Sequence, residues 1–393
     1  MNNKIEKELS EISWNVTEPE YRADGAISYS TLATYAREGI KGLKKLADGF
    51  KLDTPSLRHG SVVDTLLTDE ANFDNLYVVA NYNKPSDIIR PIIDKIWDLC
   101  DKSTGDLSKV DTNLILQQIN IANYGGANWK IETKINKIIE EGKEYFQLLS
   151  LTLNGKKLVH QVDYDYALAC VNTLKTNPFT SYIFDTFNPN IKIYYQLKFK
   201  CSFGGLVLGN FSYIDNKIER DFNGNWLTTS NNKLNPLAWK DQLLEEDTIR
   251  CMFDILLVDY DKKTIQPIDL KTTSHNEEDF GLSIQDWFYE LQADEYSYIL
   301  REIISQDEYF KHFRVLPFRF LPINKYNLSP QLYEYPESVL DIQQSYIDYK
   351  GITHLPWYEY LEDVRWHFKT QEFDYKKKTV ENEGINYIRF KHD

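Results

Sequence analysis

The chain has 393 residues, 42% of them hydrophobic, enough to bury a core as one large domain or two ordinary ones without covalent or metal staples. Its formal charge of −14 excludes an indiscriminate polyanion binder, so any contact with nucleic acid must use a local basic groove. The four cysteines, Cys100, Cys170, Cys201 and Cys251, lack the short spacing of a zinc site or an iron–sulfur cluster and read as reduced, packed thiols.

In chain order, residues 1–13 read as a short polar helix, too charged for a secretory signal. Ser28 and Ser30 offer cap hydroxyls for a helix running to about Ala47. Residues 57–68 read as a second helix with Val62, Val63, Leu66 and Leu67 facing inward, and Tyr77 to Val79 as a strand. Helical patterns over Ile88 to Cys100, Leu114 to Ile121 and Ile131 to Glu141 mark a helical insertion at 84–140. An amphipathic helix is expected over 163–177, closed by Asn177-Pro178. Alternation over 190–201, continued from Gly205 to Ile214, predicts a hairpin around Phe203-Gly204-Gly205. The Asn-rich stretch 215–248, with Trp226 and Trp239, reads as an excursion from the sheet. No stretch reaches the roughly 18 apolar residues of a membrane span, so no membrane partner and a soluble, cytoplasmic chain are expected.

Chemistry concentrates in residues 250–273, two apolar runs about a polar turn at Asp261-Lys262. With the turn centred there, Asp254 falls opposite Asp269, whereas a one-residue slip would send the two carboxylates to opposite faces. Asp269 and Lys271, two apart on one strand, project from the same face. Facing carboxylates in an apolar sheet repel and cost desolvation, which a hard divalent cation relieves. Magnesium suits carboxylate and water oxygens, with manganese as the alternative, and Lys271 could then orient water or balance oxyanion charge. The competing reading is a partly buried salt bridge in which both aspartates merely pair with Lys271.

These residues resemble the centre of the PD-(D/E)XK nucleases, an Asp on one strand and (Asp/Glu)-X-Lys on the next. Phe253-Asp254 stands for Pro-Asp, and Asp269-Leu270-Lys271 matches in full. The extension Ile268 to Thr273, followed by Gln292-Ala293-Asp294-Glu295-Tyr296, is similar to the Q-X-X-X-Y element of the RecB-like and lambda-exonuclease-like branches. Ser28 to Thr34 and Leu57 to Leu67 resemble the N-terminal part of RecE-like (exonuclease VIII-like) phage nucleases. There Asp64 stands where the family has a metal-binding His, with His59 as the alternative. Arg314 to Pro322 resembles the strand after the Gln helix, and Pro356-Trp357 resembles the tail. Gln196 stands where relatives can carry an acid but reads as an ordinary strand residue, and Glu290 as a solvated one.

The resemblance implies an α/β restriction-endonuclease-like core, a mixed sheet flanked by helices. It would span residues 28–360, between an N-terminal extension, 1–27, and a C-terminal tail, 361–393. It implies a Mg²⁺- or Mn²⁺-dependent exonuclease acting 5′-to-3′ on linear duplex DNA, with no iron–sulfur cluster. A single-strand annealing protein as partner and a homo-oligomer are further implications. Asp254, Asp269, Asp64 and the Leu270 carbonyl would hold metal, Lys271 would assist water, and Gln292 and Tyr296 would position the strand. Lys41, Lys44, Lys45, Lys51 and Arg58, with Lys198, Lys200, Arg314 and Arg319, are candidate phosphate contacts. The alternatives are an endonuclease or flap nuclease of the same superfamily, and a degenerate nuclease fold serving as a DNA-binding or assembly module.

Overall fold

The computed structural model describes residues 5–50, 53–126, 128–152, 155–185, 187–203, 248–336 and 345–385, together with the short pair 213–214 and 217–218. Gly204-Gly205 of the expected turn, most of the 215–248 excursion and Lys51 lie outside the described residues. The helices used below are α1 (Glu18–Ala23), α2 (Tyr29–Ala47), α3 (Pro55–Thr68), α4 (Ile89–Leu99), α5 (Thr112–Ile121), α6 (Ile131–Leu149), α7 (Gln161–Thr176), α8 (Phe280–Trp287), α9 (Tyr289–Ser305) and α10 (Trp357–Thr370). The strands are β1 (Tyr77–Ala80), β2 (Lys157–His160), β3 (Ile191–Ser202), β4 (Thr248–Asp259), β5 (Thr264–Thr273), β6 (Arg314–Val315), β7 (Arg319–Asn324), β8 (Tyr333–Glu334), β9 (Tyr346–Ile347) and β10 (Thr353–His354).

Contacts divide the chain into two compact units: Met1–Leu52, Lys175–Ile323 and Ser329–Asp393 form the first, Asp53–Leu174 and Asn324–Leu328 the second. The first is built on a mixed sheet of order β8-β7-β5-β4-β3, with β6 parallel beside β5. Both β3/β4 and β4/β5 are antiparallel, as the alternation predicts. Helices α2, α9 and α10 flank this sheet, contributing Leu32, Leu43, Leu291, Ile299, Trp357 and Leu361 to a core shared with Phe199, Phe253, Leu256 and Val258. The chain is thus mixed α/β with a mixed central sheet flanked by helices.

Local chemistry sets several boundaries. Helix α2 begins where expected, but the Ser28 hydroxyl does not cap it; it bonds to the Ser30 hydroxyl at 3.1 Å. Gly39, at φ 64°, kinks this helix, a conformation in which a Cβ is unfavourable. The polar helix expected over 1–13 is reduced to a 3₁₀ turn, Leu9–Ile12. Helix α1, absent from the sequence reading, carries a Thr17/Glu20 capping box.

The second unit joins α3 to α7 with the parallel pair β1/β2. Val62, Val63, Leu66 and Leu67 are buried, as the period of α3 requires. Helices α4, α5 and α6 pack through Ile89, Ile92, Ile93, Ile96, Ile119 and Phe146. Helix α6 runs eight residues past the expected Glu141, to Leu149, because Gly142, Tyr145, Phe146 and Leu149 continue its buried face. Among the described residues, no helix is long and apolar enough to cross a membrane.

Candidate functional site

The β4/β5 register pairs Ile255 with Ile268 and Asp259 with Thr264, as expected, and Asp254 and Asp269 are the next residues beyond the last pair. The recorded backbone pairing ends at Ile255/Ile268, and there the Leu270 N–H donates to Asp254 Oδ2 at 2.9 Å. A side-chain carboxylate thus takes up a backbone donor where the two strands part.

Asp269, only 3% exposed, sits in a closed polar triangle. Its Oδ2 lies 2.5 Å from Lys271 Nζ. Gln292 Nε2 donates to Asp269 Oδ1 at 2.5 Å, and Lys271 Nζ donates to Gln292 Oε1 at 2.9 Å. The ammonium also lies 4.6 Å from the centre of the Tyr289 ring, in cation–π range. Burial works against charge on Lys271, but Asp269, Tyr289 and Asp254 outweigh it and hold its pKa above the usual lysine value. The amine is therefore an ammonium at neutral pH, in the field of both aspartates.

The spacing of Tyr289, Gln292 and Tyr296 puts them on one face of α9, so the sequence held a signal for Tyr289 that the Gln/Tyr pair alone concealed. Tyr296 itself is in the core, its ring edge-on to Phe253 at 5.2 Å and to Phe318 at 6.3 Å. Its ring serves packing, and its hydroxyl lies in the field of Asp269.

Two non-glycine residues adopt left-handed backbone beside this triangle. Gln196, at φ 55°, stands opposite Asp254, between the pairs Tyr195/Ile255 and Leu197/Phe253. Core-facing positions change parity there: Ile249, Cys251 and Phe253 give way to Leu256 and Val258 in β4, and Tyr194 to Phe199 in β3. Gln196 is thus not the ordinary strand residue expected of it. Phe288, at φ 57°, ends α8 and starts α9. Such conformations cost of order 1–3 kcal/mol each and cluster at functional sites.

Glu290, expected in solvent, is buried on α9 and bonded to His354 Nδ1. The imidazole contacts Asp348 Oδ2 at 3.4 Å and is sandwiched between Phe288, 4.1 Å away, and Tyr346, 4.6 Å away. Burial disfavours its cation, but Glu290 and Asp348 more than compensate and raise its pKa. His354 comes from β10, 64 residues further along the chain, so no local pattern could reveal the pair.

Asp64 lies half-buried on α3 in the second unit. His59, on the same helix, is buried with neither ring nitrogen hydrogen-bonded among the described residues; burial lowers its pKa to about 4. Among the described residues, no group of three or more His, Cys, Asp or Glu side chains could hold a metal ion.

The expected basic cluster is not one patch of a single unit. Lys41, Lys44 and Lys45 are exposed on α2, Lys45 pairing with Glu38 at 3.0 Å. Arg58 belongs to the second unit and pairs with Asp53 at 2.9 Å. Lys200 is taken by Asp24 at 2.7 Å, and Arg319 by Glu334 at 2.7 Å. All four cysteines are free thiols. No family model and no curated protein matches the chain.

Proposed function

We propose that the chain is a metal-dependent deoxyribonuclease, with a restriction-endonuclease-like core and its active site at Asp254, Asp269 and Lys271. One observation carries this reading: where β4 and β5 part, the Asp254 carboxylate replaces a backbone acceptor beside Asp269 and an ammonium. Two carboxylates and a backbone carbonyl suit Mg²⁺ or Mn²⁺, which keep several waters and complete their shells with substrate phosphate oxygens. Asp254, Asp269 and the Leu270 carbonyl would hold the ion. When bound, the cation supplies a Lewis acid for the phosphodiester and a more acidic water.

The protein's own groups do the rest. Lys271 is kept charged by its acidic neighbours and would hold the attacking water or balance charge on the phosphoryl oxygens, with cleavage leaving a 5′-phosphate. Gln292 fixes both Asp269 and Lys271, so it positions the pair. The expected 5′-to-3′ exonuclease action on linear duplex DNA, the annealing-protein partner and the oligomer are proposed on the resemblance.

A second reading has its own support. The Asp269–Lys271–Gln292 triangle satisfies its polar groups internally, as a binding or assembly module that had lost catalysis would. Incubating end-labelled linear duplex and circular plasmid with the protein and Mg²⁺ decides between them. The nuclease reading predicts nucleotide release from linear DNA that is abolished by EDTA, Asp269→Ala or Lys271→Ala, and an endonuclease would also open the circle. Activity undiminished in Asp269→Ala would move the chemistry elsewhere, and binding without cleavage would favour the module.

A further inference from the structure

At the far end of α9 and β5 from the acidic pair lies a cleft of about 400 Å³, lined by Arg301, Ser305, Lys311 and Arg314 over a wall containing Ile304, Phe313 and Val315. No Asp or Glu lines it, although the chain carries 59 of them against 45 Lys and Arg. Among the described residues, no ion pair engages Arg301 or Arg314, whereas Arg22, Arg250 and Arg319 of the first unit pair with Glu18, Asp24 and Glu334. Among the described residues, Lys311 pairs only with the exposed Glu308, a contact that solvent makes weak. The frame is fixed: the Arg314 N–H donates to the Lys263 carbonyl and the Leu316 N–H to the Ile265 carbonyl, both at 2.8 Å, which secures β6 against β5.

We infer that this cleft is a binding site for a phosphate monoester, held by the guanidinium groups of Arg301 and Arg314 with Lys311; the Ser305 hydroxyl at its edge donates to the Glu302 carbonyl at 2.8 Å. Two planar forks suit the doubly charged, three-oxygen face of a monoester. Like-charged groups left unpaired around one cleft repel each other, and a bound dianion relieves that cost. The site is separate from the acidic pair. Arg301 is nine residues along α9 from Gln292, about 14 Å, and Thr264, which pairs with Arg314, is five residues along β5 from Asp269, roughly 17 Å. The ligand is inorganic phosphate or the terminal phosphate of a small phosphorylated metabolite. The inference does not depend on the nuclease reading.

Calorimetric titration of the full chain, in EDTA and at constant ionic strength, tests it with inorganic phosphate, deoxyadenosine monophosphate and deoxyadenosine. One-to-one binding of the two phosphates but not of the nucleoside is expected. Monophosphate binding much more tightly than phosphate would identify a nucleotide as the source, and equal affinity would identify free phosphate. Arg314→Gln, and Arg301→Lys, which keeps the charge but loses the fork, should each weaken binding by at least about tenfold without lowering the melting temperature. Asp269→Asn should leave binding unchanged. Wild-type affinity in both arginine variants, equal binding of deoxyadenosine, or no heat at millimolar phosphate would overturn the assignment.

Discussion

The two units bury different chemistry. In the helical unit, α4, α5 and α6 turn isoleucines and aromatic rings inward, and their charged side chains are left at the surface or half-buried. In the sheet unit, α9 buries Glu290, Gln292, Asp294 and Glu295 within two turns. Burying a carboxyl group costs several kcal/mol unless it is paired or protonated. Helix α9 accepts that cost three times and buries the Gln292 amide as well, because it is covered by the sheet on one side and by the β9/β10 segment on another, and three of the four groups serve specific partners. Gln292 holds Asp269 and Lys271, Glu290 holds His354, and Asp294 bonds to Tyr335. Glu295 is the exception: neither oxygen has a hydrogen-bond partner among the described residues. The contrast separates a helix that only packs from one that also organises a polar site.

The largest expected effect is on the organising role of α9. Gln292→Ala should leave the fold intact but release Asp269 and Lys271, lowering kcat and metal affinity by about 10- to 100-fold, the usual cost of losing a group that orients a metal ligand. Gln292→Glu should not rescue it, since a carboxylate cannot donate to Asp269. Steady-state kinetics over a range of Mg²⁺ concentrations checks this, and unchanged parameters in Gln292→Ala would reduce the triangle to packing.

Next in size is the pH dependence of stability. Burial raises the pKa of Asp294 and of Glu295 well above the usual carboxylic range. A raised folded-state pKa means that the folded chain binds more protons than the unfolded one. This contribution to stability is fully present below the unfolded pKa, near 4, and is lost as pH rises through the folded value. His354 shifts in the same direction from its usual 6.5, so its share fades above that pH. Glu295→Gln removes the buried charge in nearly the same volume. Its melting temperature should exceed that of the parent at pH 8, and the difference should vanish towards pH 4. A difference independent of pH would mean that Glu295 is not titrating inside the core.

The smallest effect belongs to the helical unit. A Cβ at Gly142 would lie 2.3 Å from Ile93 Cδ1 and 3.0 Å from Leu107 Cδ2, so Gly142→Ala overfills the α4/α6 contact. Overpacking costs about 1–3 kcal/mol, and the better helix propensity of alanine returns roughly 0.5–1 kcal/mol. A net loss of about 1 kcal/mol should be measurable by urea denaturation. Stabilisation would show that the two helices separate freely.

How legible these regions were in the sequence follows the same division. The helices of the second unit were predicted to within a few residues at most ends, because a single apolar stripe sets their period, although α6 continues to Leu149. The β4/β5 register was also legible, since the polar turn at Asp261-Lys262 and the apolar alternation specify one pairing. Glu290 was misread as solvated because α9 has no exposed stripe to mark its polar side, and its partner His354 is supplied by a distant strand. The left-handed conformations of Gln196 and Phe288 had no signal at all, because neither is a residue that favours positive φ.

The central claim is that Asp254 and Asp269 share a hard cation. Titrating Mn²⁺ into the protein with an uncleavable phosphorothioate duplex present, and following free Mn²⁺ by electron paramagnetic resonance, tests it directly. The account predicts stoichiometric loss of the free-ion signal with the parent chain and at least a tenfold weaker uptake with Asp254→Asn or Asp269→Asn, about what losing one charged ligand costs. Uptake by both variants equal to that of the parent, or none by the parent, would contradict it.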